Sequence, residues 1–122
     1  MNDINLMNEN SIDLDQYKHI DENNCEYYSA RELQQLFGYT EWRTFSFKIS
    51  KAIKISENSS YNKNILFKEV SKRVKAGATY KYIKDYKLNK LALYLLIQEC
   101  DSSKPSISYF KTYLALNTLI NE

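Results

Sequence analysis

The spacing of hydrophobic and polar positions changes several times along this chain, and each change marks an element. Two short runs of strand formers, Tyr17 to Ile20 and Cys25 to Tyr28, flank Asp21-Glu22-Asn23-Asn24. The side chains of that cluster favour turns and tolerate left-handed backbone, so a β-hairpin is predicted. Ser29 and Glu32 stand at capping-box spacing before Leu33 and Leu36, and Gly38 supplies the stop of a first helix. Thr40 is placed to cap a second, in which Trp42, Phe45, Ile49, Ala52 and Ile53 recur at helical spacing. Ile65 to Val74, with Leu66, Phe67, Val70 and Val74, predicts a short third helix; its length and valines leave a strand as the alternative. Tyr80, Tyr82 and Tyr86 alternate with Lys81, Ile83 and Asp85, which predicts a strand pairing with the first hairpin. Asn89 caps a stretch, Leu91 to Ile97, that is apolar nearly all round and so predicts a helix at the centre of the domain. Pro105 opens a last helix whose inward positions are Ile107, Phe110, Leu114 and Ala115.

These elements add up to an α+β fold, a small antiparallel sheet made of the N-terminal hairpin plus a central strand, packed by four to five helices. Residues 1 to 16 are Asn- and Asp-rich with only Ile4, Leu6, Ile12 and Leu14 as apolar anchors, which predicts an acidic arm ahead of a single domain over 17 to 122. At 122 residues and 43% hydrophobic content, one ordinary domain with a real core is expected. Cys25 and Cys100 are far apart and form no Cys-x-x-Cys unit, so no disulfide is expected and a reducing cytoplasm fits. The start lacks a basic region followed by an apolar run, and no stretch approaches the roughly 18 apolar residues of a membrane span, so no membrane association is expected.

The net charge of +2 conceals a segregation of sign. Residues 1 to 26 carry seven acids against one base, whereas residues 27 to 90 carry fourteen Lys and Arg against five acids. A basic middle behind an acidic segment can be a nucleic-acid surface; it can equally be a solvated lysine-rich face. Enzyme chemistry finds little footing. His19 is the only histidine, Gly38 and Gly77 are the only glycines, and two cysteines with one histidine do not compose a zinc site. A phosphate-cradling or dinucleotide loop is therefore ruled out, and neither a catalytic residue, nor a metal, nor a cofactor is expected.

Binding is the remaining class. Tyr80-Lys81-Tyr82-Ile83-Lys84-Asp85-Tyr86-Lys87 interleaves stacking rings with phosphate-seeking amines, the composition of a nucleic-acid face. The competing reading makes these tyrosines half-buried sheet residues with solubilising lysines opposite. Lys48, Lys51 and Lys54 form a second basic stripe on the second helix, with Arg43 nearby. Arg31, in a capped first turn with Glu26 as its nearest upstream acid, has the option of a phosphate, a partner's carboxylate or a surface ion pair. The apolar tail Leu116, Leu119 and Ile120 is surplus to the last helix's inward face and predicts self-association, a homodimer for instance, or a protein partner.

Tyr28-Ser29-Ala30-Arg31-Glu32-Leu33 with Leu36, Gly38 and Tyr39, then Trp42 and Phe45, then Lys84-Asp85-Tyr86 with Leu88, and finally Asp101, Lys104-Pro105, Tyr113 and Ala115, carry a resemblance. The chain resembles the N-terminal domain of the DNA-damage-inducible protein D family and phage antirepressors of the BRO-N type. It departs from that pattern at Leu88-Asn89-Lys90-Leu91 and at Asn117-Thr118-Leu119-Ile120, the latter exchanging the family's charge for apolar surface, and the C-terminal region with which such proteins usually continue is expected to be absent. What the resemblance implies is a non-enzymatic regulatory protein of phage or mobile-element type that binds a repressor or another DNA-transaction protein. Two alternatives stand beside it. One is direct DNA binding through Arg43, Lys48, Lys51, Lys54, Lys81, Lys84 and Lys87, and the other is inhibition of a host defence nuclease.

Overall fold

The computed structural model describes residues 14–59 and 62–120. The expected arm falls mostly outside these residues; of it, Leu14 opens a 3-10 turn, Leu14–Tyr17, and is buried in the core. Strands β1 (Lys18–Ile20) and β2 (Glu26–Ser29) form the predicted hairpin, with Asn24 at φ 62 in its turn and Asp21 Oδ1 accepting from the Asn23 and Cys25 amides. These two amides hold the Asp21 carboxyl below its ordinary range, the Cys25 amide most strongly.

Helix α1 (Ala30–Leu36) starts on the Ser29 cap, whose hydroxyl accepts from the Glu32 amide. Only half of the capping box is realised, because the Glu32 carboxylate turns away to His19 Nε2 at 2.7 Å. The helix ends in a Schellman motif: Gly38 at φ +80 donates to the Gln35 carbonyl and Tyr39 to that of Gln34, satisfying the last carbonyls as glycine in this position allows. Helix α2 (Trp42–Asn58) begins later than expected. Its cap residue is Glu41, which makes no side-chain cap, so Thr40 does not serve.

The predicted third helix is the main correction. One helical turn, α3 (Lys63–Leu66), leads directly into the ten-residue strand β3 (Phe67–Ala76), which pairs antiparallel with β4 (Thr79–Leu88) at every position from Phe67↔Leu88 to Ala76↔Thr79. Val70 and Val74 mislead because a spacing of four returns to the same face in either period. Gly77 at φ +65 followed by Ala78 in ordinary backbone makes the tight turn, the arrangement of a II′ hairpin loop. The sheet order is β1-β2-β4-β3, so the tyrosine strand does pair with the first hairpin, through Tyr28↔Leu88 and Ser29↔Lys87.

Helix α4 (Lys90–Glu99) is capped by Asn89, whose Oδ1 accepts from Ala92 N at 2.9 Å. It buries Ala92, Leu93, Leu96 and Ile97 against α2, which contributes Phe45, Ile49 and Ala52. Helix α5 (Pro105–Ile120) closes the core with Ile107 and Phe110, the latter ring 5.3 Å from Phe37. Burial drives the Cys100 thiol up to about 11, and Cys25 is exposed.

Candidate nucleic-acid interface

The ladder between β3 and β4 is ten residues long, yet β2 grips β4 only at Lys87 and Leu88. The rest of the hairpin is a two-stranded ribbon. From Lys68 to Lys84 no side chain is buried, and the same stretch carries six Lys and Arg against the single acid Glu69.

Residues opposite one another in an antiparallel pair share a face, which sorts the ribbon into two sides. One side carries Arg73 opposite Tyr82, Lys75 opposite Tyr80, and Lys84 opposite Ser71. Tyr80 and Tyr82 are 57% and 70% exposed, which decides against their being half-buried sheet residues, whereas Tyr86 on the same strand is buried. The Arg73 guanidinium lies 3.9 Å from the Tyr80 ring centroid, a cation–π contact that holds both side chains in place. Lys84 is partly spoken for: its ammonium is 3.4 Å from Glu69, and the Tyr86 side chain, then Glu69, raise its pKa. The other side carries Val70, Lys72, Val74, Lys81 and Ile83. Lys81 and Lys87 belong to this second side, so the three lysines expected to act together are divided between faces. Lys87 also rests 4.5 Å from the Tyr27 ring.

At the root of the ribbon sits Asp85, 4% exposed. Its carboxylate accepts from the Ser29 hydroxyl at 2.7 Å, the Arg31 amide at 3.0 Å and its own neighbour's amide, Tyr86, at 2.8 Å. A buried carboxylate is tolerable here because these donors, two of them at the positive end of α1, replace lost water. Arg31 therefore finds its acid in the middle of the chain rather than in the preceding strand, and through its backbone. Its Nε donates to the Lys84 carbonyl at 2.8 Å and its guanidinium covers Trp42 at 3.7 Å. Burial lowers the Arg31 pKa while Asp85 opposes the shift. Trp42 in turn stacks on Tyr86, with centroids 6.5 Å apart.

The second group of expected contacts lies on α2. Arg43, Lys51 and Lys54 are exposed, together with Phe47. Lys48 is half-buried and joins Lys104 in lowering the Asp101 pKa, an effect dominated by the Ser103 amide. The stripe is thus three exposed cations and one neighbour of Asp101. The α2 group and the ribbon are linked where Trp42 meets Tyr86. On α5, Leu119 is 68% exposed and Leu116 half-buried; the Ile120 side chain lies outside the described residues. Arg73 and Lys75 are not among the expected site residues, because their segment reads as helix. The signal that finds them is the matched pair of period-two runs on either side of Gly77.

His19 is bound to Glu32 and stacked on Tyr27 at 5.2 Å. Among the described residues no three His, Cys, Asp or Glu side chains gather as a metal site, and no helix is long and apolar enough to cross a membrane.

A four-stranded sheet with a projecting basic ribbon, buttressed by helices at one end, thus defines a small α+β domain. Its family is also established: residues 16–118 match the BRO family, N-terminal domain, and the chain belongs to that family. It is similar to DNA damage-inducible protein D of Escherichia coli (strain K12), with 37% identity over 113 residues covering 92% of this chain. The chain spans about two fifths of that relative, 41% of its length. No solved structure matches it.

Proposed function

We propose that this chain is a regulatory protein of DNA transactions that works by binding rather than by making or breaking bonds, and that the β3–β4 ribbon is the element that engages DNA. The observation that carries the reading is the ribbon itself: a projecting, unburied, basic hairpin whose side chains serve no core. A two-stranded ribbon is narrow enough to enter a DNA groove, and its cations release counterions from phosphates. BRO family membership and similarity to a DNA damage-inducible protein support a regulatory role close to DNA.

Titrating the chain against labelled DNA at rising salt tests this. Affinity should fall steeply with salt, and Arg73→Glu or Lys81→Glu should weaken binding and reduce the log–log salt slope by roughly 1 per lost phosphate contact. Tight binding unaffected by either change and by salt would remove the ribbon from consideration.

A second reading rests on Leu119, exposed on α5 beside half-buried Leu116. An apolar helix end of this kind suits a repressor or another DNA-transaction protein, or a second copy of the chain. Leu119→Asp separates the two readings, because it should abolish capture of such a protein and leave DNA binding unchanged.

A further inference from the structure

The two faces of the ribbon differ in a way that points to the state of the nucleic acid. Side chains that read a duplex through its grooves are forks and amides reaching base edges; between Phe67 and Leu88 there is no Asn or Gln, and the one arginine fork, Arg73, lies over the Tyr80 ring. What the Tyr82 face offers instead is flat surface. Tyr82 is 70% exposed beside Arg73, and the guanidinium plane of Arg73 is backed by the Tyr80 ring at 3.9 Å. Two planar groups are thus presented side by side, one of them already stacked, with Lys75 next to them as a phosphate partner. Core packing does not account for this arrangement, since the tyrosines that the core uses, Tyr28, Tyr39 and Tyr86, are buried. Bases paired inside a duplex keep their faces covered; only unpaired bases expose a face to such a surface.

We propose that the Tyr82 face of the ribbon binds single-stranded nucleic acid, with unpaired bases stacked on Tyr82 and on the Arg73 guanidinium while Lys75 holds the phosphates. This rests on the reading of the ribbon as the nucleic-acid element and narrows it to one face and one kind of strand. The basic charge of the ribbon supplies the complementarity, and the rings make the contact tolerant of sequence.

The test is fluorescence anisotropy of the full chain with labelled oligo(dT), oligo(U) and a duplex of equal length. A single strand should bind more tightly than the duplex, and the two oligonucleotide arms show which sugar is preferred. Tyr82→Ala should weaken single-strand binding about 5- to 150-fold, the range that loss of one base–aromatic stack produces. Tyr82→Phe, which keeps the ring, should restore it. Because Tyr82 serves no core, circular dichroism of both variants should match the parent. Equal or tighter duplex binding, or single-strand binding untouched by Tyr82→Ala but lost in Arg73→Glu, overturns the stacking proposal and leaves DNA binding standing. Failure to bind any of the three at low salt overturns both.

Discussion

The two ends of β4 share one strand and one ladder of pairs with β3, yet they are built for different ends. At the root, Asp85, Tyr86 and Leu88 are buried and joined to α1 and α2; at the tip, Thr79 to Tyr82 are exposed. The ladder is therefore enough to keep the tip in register but contributes no burial there. Under the proposed function, stability and recognition fall to different residues of the same element. Substitutions should separate them accordingly.

The largest effect belongs to the body. Leu96→Ala, fully buried in α4, should cost roughly 2–5 kcal/mol in denaturant melts through lost burial and the cavity left behind. Next comes the root, where Asp85→Ala strands the Ser29 hydroxyl and the Arg31 amide; a loss of roughly 1–3 kcal/mol is expected, with Asp85→Asn milder because an acceptor remains. At the turn, Gly77→Ala forces a Cβ into φ +65 and should cost about 1 kcal/mol, although nothing lies within 4 Å of that position. At the tip, Tyr82→Ala should change stability by less than about 0.5 kcal/mol. A tip substitution that destabilises as much as the root would erase the contrast.

A pH series sharpens the same contrast from the thiols. Cys100 has its folded pKa raised from 9.0 to about 11 by burial, so its stabilising contribution is complete below pH 9 and is lost as pH climbs towards 11. Buried Tyr28 and Tyr39, also raised by burial, act in the same direction. Cys100→Ala should flatten part of the alkaline decline in melting temperature. Exposed Cys25 should take up one equivalent of iodoacetamide in the native protein, with Cys100 reacting only on unfolding.

Much of the fold can be read from local chemistry. Ser29, Gly38, Asn89 and Pro105 each act within a few residues, and each does at its helix end what its residue type predicts. The α+β class follows from the hairpin, the tyrosine strand and the apolar run of α4. Thr40 fails for a local reason too, since the neighbouring Glu41 takes the cap position instead. Strand β3 is hidden because Val70 and Val74 fit both periods, and only pairing with β4 selects between them. The candidate site is legible in part. Tyrosines and lysines of β4 stand out in the sequence, but which of them face the same way, and that Arg73 joins Tyr80, depend on register. The buried role of Asp85 leaves no local signal, because Ser29 and Arg31, which donate to it, lie more than fifty residues away.

Trp42 is the only tryptophan in the chain, and it lies between the Arg31 guanidinium and the Tyr86 ring where the ribbon joins the body. The molecule thus contains its own optical probe at a single junction. Its emission reports whether α1, α2 and the base of the hairpin are docked, and it stays indifferent to fraying of the tip around Gly77. Comparing that signal with backbone circular dichroism during unfolding tells, without any label, whether the ribbon melts before the body that holds it.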